Sequence, residues 1–377
     1  MINSAGLCLS GPEIRNFNPM FWRIFLWLFI SVSTPVYAGF ILVPMGPEDQ
    51  SQHLKAYGIT YWILDQDIKA QWLLNYRGGS FLIPDLEAVR RECRIRGVDF
   101  ELISDQEAAQ ILSFIGSPSQ NMEVVDLEKA PKVAVYAPPG MQPWDDAVTM
   151  VLTYAEIPFT TIYDTEVLGD ELLLYDWLHL HHEDFTGQYG KFYRAYRMAP
   201  WYLEQKKDAE LLAASLGYQK VSEAKRDVAL KIRDYVIGGG FMFAMCSATD
   251  SFDIALAAQG VDICESMFDG DPSAPNYQAQ QDFTQSFAFT DFVLERDPMV
   301  YEFSSIDMTA KRQVDREKDY FTLMDFSAKW DPIPCMLVQN HTALVKGFMG
   351  QTTAFDPAVV KPNRSEEHTS ELQSPDH

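Results

Sequence analysis

The chain has 377 residues, 47% of them hydrophobic, and a formal net charge of −23. So acidic a surface argues against a nucleic-acid partner, because phosphate binding relies on Lys and Arg to displace counterions. The apolar content suffices for an ample core in one large domain or two, and cysteines without a CxxC spacing exclude a zinc ribbon and a dense disulfide framework.

Residues 20–38 (MFWRIFLWLFISVSTPVYA) set Arg23 before an apolar run and close on Val36-Tyr37-Ala38. This is the pattern of a secretory signal with a small-residue cleavage site. The run is too short to span a bilayer. The expectation is therefore export to the periplasm or cell surface, a mature start at Gly39, no integral membrane span, and residues 1–19 lying upstream of the true start. Residues 39–128 read as an N-terminal α/β region. Segments 70–76 and 80–83 flank Gly78-Gly79 like a hairpin, and Leu86, Val89 and Cys93 fall at helical spacing. A strand over 98–103 and a helix over 105–115 follow, then a linker-like stretch.

From 129 to 260 the elements alternate. KVAVYA (132–137) is a β-branched strand, 143–156 a helix opened by proline, 159–163 a second strand and 172–180 a third. Helices over 200–216 and 222–236 lead to the Gly238-Gly239-Gly240 turn and a strand over 241–245. This order predicts an α/β fold with a doubly wound, mostly parallel, flavodoxin-like sheet, whose ligands gather beyond the C-terminal strand ends. Residues 261–363 loosen into aromatic-rich segments at 287–295, 299–303 and 320–326, expected to wrap on the core as added strands and loops. The last segment, 364–377, lacks apolar periodicity, resembles a translated sequencing-library adapter and is expected to stay unpacked.

Two clusters carry candidate chemistry. Cys246 follows a short apolar strand, has Ala244 and Ala248 two positions to either side, and precedes a helix-forming run. A nucleophile elbow needs small neighbours around its strained apex, and a helix N-terminus favours thiolate. The competing reading is a buried structural cysteine. His179, His181, His182 and Glu183 follow the third strand, as ligands for a divalent metal, as a base for Cys246, or as a hydrogen-bonded polar turn. His341 is a further candidate base. The turn Asp269-Gly270-Asp271 lacks the ligand spacing of an EF-hand and reads as an ordinary turn.

Over residues 132–258, the elbow Ala244-Met245-Cys246-Ser247-Ala248 and the strand Asp176-Trp177-Leu178-His179-Leu180 resemble the class I glutamine amidotransferase-like fold. The resemblance implies Cys246 as nucleophile and hydrolysis of a small amide or carbonyl compound. His181-His182 stand where that family carries Gly-Gly, and no His-x-Glu element stands near the C-terminal end, where that family carries it. Over nearly the full length, YGITYWILD, NYRGGSFLIPD, PWDDAVTMVLTYAEIPF, YDWLHLHHEDFTGQYGKFYR and GGGFMFAMCSATDSFDIAL are similar to an exported bacterial family named asparagine synthetase B. Ser247-Ala248-Thr249-Asp250-Ser251 has no glycines to cradle a pyrophosphate, so neither ATP-dependent synthesis nor an organic cofactor is expected. The alternative is a noncatalytic ligand- or partner-binding protein on the same fold.

Overall fold

A computed structural model describes residues 39–138, 146–311, 320–322, 327–329, 339–346 and 354–362. The expected signal segment, Cys335 and the 364–377 tail lie outside the described residues. Within residues 39–128, β1 (Phe40–Val43), β2 (Ala70–Leu74), β3 (Ser80–Pro84), β4 (Glu101–Ile103) and β5 (Glu123–Leu127) form an antiparallel sheet of order β4-β1-β3-β2-β5. Alternation along β1 explains its layers: Ile41 and Val43 face α1 (His53–Asp65) and α2 (Glu87–Arg96), whereas Leu42 faces α3 (Asp105–Ile115). Val89 and Cys93 are the buried residues of α2, as their spacing predicts. Ser104 and Glu107 close a reciprocal capping box that fixes the start of α3.

The second sheet is parallel. It contains β6 (Val133–Tyr136), β7 (Phe159–Ile162), β8 (Trp177–Leu180) and β9 (Phe241–Ala244) in the order β7-β6-β8-β9. The expected parallel pairing thus holds for these four strands, and the fold as a whole is mixed α/β, since the sheet of residues 39–128 is antiparallel. Between them run α4 (Asp146–Ala155), α5 (Asp164–Leu168), the short α6 (Tyr193–Tyr196), α7 (Pro200–Ser215) and α8 (Val221–Ile237), and α9 (Ser247–Ala257) follows β9. Leu178 and Leu180 bury against Val228, Ile232, Phe252 and Leu256 of α8 and α9. The third strand is shorter than the expected 172–180. Residues Glu171–Leu174 form a 3-10 turn in which only Leu172 turns inward while Leu173 and Leu174 face solvent.

The two sheets are joined through α1 and α4. A Cβ at Gly58 would meet the Ala155 carbonyl oxygen at 1.7 Å, so only glycine permits this approach. Around it Lys55 pairs with Glu156 at 2.6 Å and Arg96 pairs with the same carboxylate at 3.2 Å. Beyond α9 comes the four-residue α10 (Ser266–Asp269), then segments that pack Phe289, Phe292, Phe303 and Ile306 on Ile254. The buried Asp253 carboxylate anchors them, accepting the N–H groups of Phe287, Ala288 and Phe289 at 2.7–2.8 Å. Instead of the strands expected over 287–303, this region makes isolated bridges such as Phe289–Val360 and Leu294–Ser304. Among the described residues beyond α10, β10 (Tyr320–Thr322) pairs with β11 (Leu344–Lys346).

Candidate functional site

The cysteine elbow forms because β9 is held in register until its last residue and then stops. Leu180 pairs with Ala244, and the Met245 N–H still donates to the Leu180 carbonyl at 3.0 Å. Cys246 then adopts φ 51°, ψ −138°, and α9 begins at the next residue. A non-glycine residue there is outside the common wells and carries strain of about 1–3 kcal/mol, the kind that concentrates at functional sites. The turn is overdetermined: Ala248 N–H reaches the His181 carbonyl at 3.4 Å and that of Met245 at 3.1 Å, and Thr249 donates its N–H and hydroxyl to the Cys246 carbonyl at 3.1 and 2.5 Å. Ala248 is fully buried, which explains why a small residue is required there.

The three described cysteines differ. Cys246 is partly exposed, whereas Cys93 and Cys264 are buried. Burial pushes the Cys93 thiol up to about 11 and the Cys264 thiol well above its usual range. Beside Cys246 stands Tyr301, whose hydroxyl is raised by burial and by the neighbouring Cys246 and Asp307. The Tyr301 ring meets Phe192 at 5.8 Å, which leads toward the strand-end crevice.

The three histidine rings neighbour one another, His179 meeting His181 at 6.4 Å and His181 meeting His182 at 4.0 Å. His179 is buried, stacked on Phe243 of β9 at 5.6 Å, and burial together with His181 holds it down at about 4. His181 donates its backbone N–H to Glu183 at 2.7 Å, and its ring stacks on His182 at 4.0 Å. Strand alternation puts His179 and His181 on one side, with their rings 6.4 Å apart, while His179 packs in the sheet against Phe243. Among the described residues, no three ligating atoms of His179, His181, His182 and Glu183 gather to hold one metal ion. The group that does gather is Asp262, Cys264 and Asp269. The Lys220 ammonium already sits among these carboxylates, at 2.5 Å from Asp262, 3.1 Å from Asp269 and 2.5 Å from Asp271.

His341 is also not brought to Cys246. Its Nε2 bonds the Tyr57 hydroxyl at 2.8 Å and its ring packs on His53 at 4.9 Å, at the start of α1. Neighbouring Gln339 bonds Asn75 in the β2–β3 turn, at 2.7 Å to its N–H, so this segment belongs to the antiparallel sheet. Sequence spacing carries no information about such a contact, made across 284 residues.

What sequence reasoning missed is a cavity of about 220 Å³ bounded by Pro138 after β6, Tyr163 after β7 and His182 after β8. These strand ends flank the point where the connections diverge, from β6 toward β7 on one side and from β8 toward β9 on the other, which is where open α/β sheets bind ligands. At its floor the buried Lys225 donates to Tyr136, Tyr163 and Asp164 at 2.9, 2.8 and 2.8 Å, and Tyr136 in turn donates to Asp164. Burial pulls the Lys225 ammonium down, but the Asp164 carboxylate and the phenols outweigh it and raise it above the ordinary lysine range. The available signal was a lysine within the buried stripe Val221, Ala224, Val228, Ala229 and Ile232 of α8.

Comparison with protein-family models, with curated proteins and with solved structures gives no match.

Proposed function

We propose that the chain is an exported, cysteine-dependent hydrolase of a small amide or related carbonyl compound, with a class I glutamine amidotransferase-like core. The observation that carries this reading is the strained backbone of Cys246 at the strand-to-helix turn that ends a parallel strand. In this reading the Cys246 sulfur attacks the carbonyl carbon, the amine leaves with a proton, and water then hydrolyses the thioester. The start of α9 supplies partial positive charge that favours the developing oxyanion. His182, which lines the cavity and stacks on His181, is the candidate proton carrier. No metal is needed for this chemistry. Export through residues 20–38 and kinship with the exported family named asparagine synthetase B belong to the same proposal, without ATP-dependent synthesis. N-terminal sequencing of secreted protein should read Gly39 first.

The central test is thiol reactivity. Under reducing conditions, iodoacetamide should modify Cys246 in the native protein well before Cys93 or Cys264, because the last two are buried with raised thiols. Cys246→Ala should abolish any turnover on a panel of small amides while leaving the fold intact. Labelling of Cys246 only after denaturation would remove the nucleophile and leave the second reading, a noncatalytic binding protein, which the 220 Å³ cavity favours.

A further inference from the structure

The stretch that carries His341 is fastened to the antiparallel sheet region at two points of different chemistry. The first is Gln339, whose Oε1 accepts the Asn75 N–H at 2.7 Å and whose Nε2 donates to the Asn75 Oδ1 at 3.2 Å. Gly79 makes room for it, since a Cβ there would meet the Gln339 Cγ at 2.3 Å. The second is the imidazole of His341, whose Nε2 shares a hydrogen bond with the Tyr57 hydroxyl at 2.8 Å and whose ring lies 4.9 Å from that of His53. Residues 342–346 beyond it are exposed, and β11 pairs with β10. An amide pin and a titratable pin thus hold one strap.

The surroundings of His341 receive a proton poorly. A neutral imidazole can serve Tyr57 with one nitrogen, but the cation carries N–H at both, and His341 Nδ1 is buried without a hydrogen-bond partner. From α1 the ring is faced by His53 and Tyr57, from the stretch after β1 by the Met45 carbonyl, and from the β2–β3 turn by the Gly78 carbonyl. The Met45 carbonyl already accepts from His53 Nε2 at 3.0 Å. Among the described residues, none of the groups acting on the ring is a carboxylate. The charged side chains of the same elements are paired elsewhere: Arg77 with Asp49 at 3.2 Å and Glu101 at 2.9 Å, and Lys55 with Glu156 at 2.6 Å. Burial and the neighbouring His53 hold His341 below its ordinary range, and the two carbonyls offset this only in part.

We propose that residues 339–346 form an acid-sensitive strap, latched to α1 by neutral His341 and released from the antiparallel sheet region when that histidine is protonated. Above pH about 6.5 neither the docked nor the released strap carries the proton, and docking is at full strength. As the pH falls below that value the released strap takes up the proton that the docked one resists. Docking therefore weakens toward acid, by up to about tenfold per pH unit. The inference is independent of Cys246.

The Asn75 amide is the reporter, because the strap accepts its hydrogen through Gln339. Hydrogen exchange of the full chain, resolved by mass spectrometry with fragmentation and corrected for intrinsic rates, is compared at about pH 7.5 and about pH 5. On acidification this amide should lose at least about threefold more protection than the amides of β1 and β8. Gly79→Ala, which drives a Cβ into Gln339, should expose it at both pH values and so gives the level of a released strap. His341→Gln, neutral throughout, should remove the pH dependence, and His53→Gln should reduce it. If His341→Gln already stands at the Gly79→Ala level, His53→Gln decides, and an undiminished acid loss there overturns the inference. Unchanged protection of the wild type in acid, a loss shared equally by β1 and β8, or a full acid response in His341→Gln would each overturn it as well.

Discussion

Replacing Cys246 by glycine should stabilise the protein relative to replacing it by alanine, against the usual order of the two residues. At φ 51°, ψ −138° an alanine retains the strain of the elbow, whereas glycine adopts this backbone without penalty. Relief of about 1–3 kcal/mol is opposed by roughly 0.4–1 kcal/mol from the greater freedom of glycine in the unfolded chain. Loss of one Cβ at a partly exposed position subtracts little more, so the net gain is about 0.5–2 kcal/mol. The alanine variant is the proper reference because both substitutions remove the thiol. Urea unfolding of the two proteins, followed by tryptophan fluorescence with equal m-values, measures the difference. If the glycine variant is instead less stable by about 1 kcal/mol, the ordinary cost of glycine, the backbone at 246 is relaxed and the strain argument for a nucleophile fails.

The Lys225–Asp164 pair should behave as a buried pair: Lys225→Met leaves a buried carboxylate without its cation and should cost about 3–5 kcal/mol, with Lys225→Met/Asp164→Asn recovering part of it. A loss below about 1 kcal/mol in denaturant unfolding would mark it as no more than a surface contact. His179 should make stability depend on acidity. It is held neutral in the folded protein down to pH about 4, so between its unfolded value of about 6.5 and that point only the unfolded chain takes up the proton, and stability should fall by about 3 kcal/mol as the pH drops. His179→Phe keeps the stack on Phe243 and removes this contribution; parallel stability-versus-pH curves for the two proteins over that range would refute it.

The local chemistry of the chain was legible where neighbours in sequence determine the outcome. The hairpin around Gly78-Gly79, the buried Val89 and Cys93 of α2, and the bounds of α3 follow from turn residues, helical periodicity and capping. So does the elbow, because Ala244, Ala248 and the helix-forming run after Cys246 are all local requirements of one turn. Tertiary structure decided the rest. Strand alternation with cross-strand packing confined His179 to the sheet beside Phe243, and a contact across 284 residues gave His341 to Tyr57. The cavity depends on strand order, which brings the ends of β6, β7 and β8 together, and on α7 turning Gln205 and Asp208 toward them. A sequence specifies which face of each element is apolar. Which elements then meet, and hence which polar groups are enclosed together, is fixed only when those faces are buried against one another.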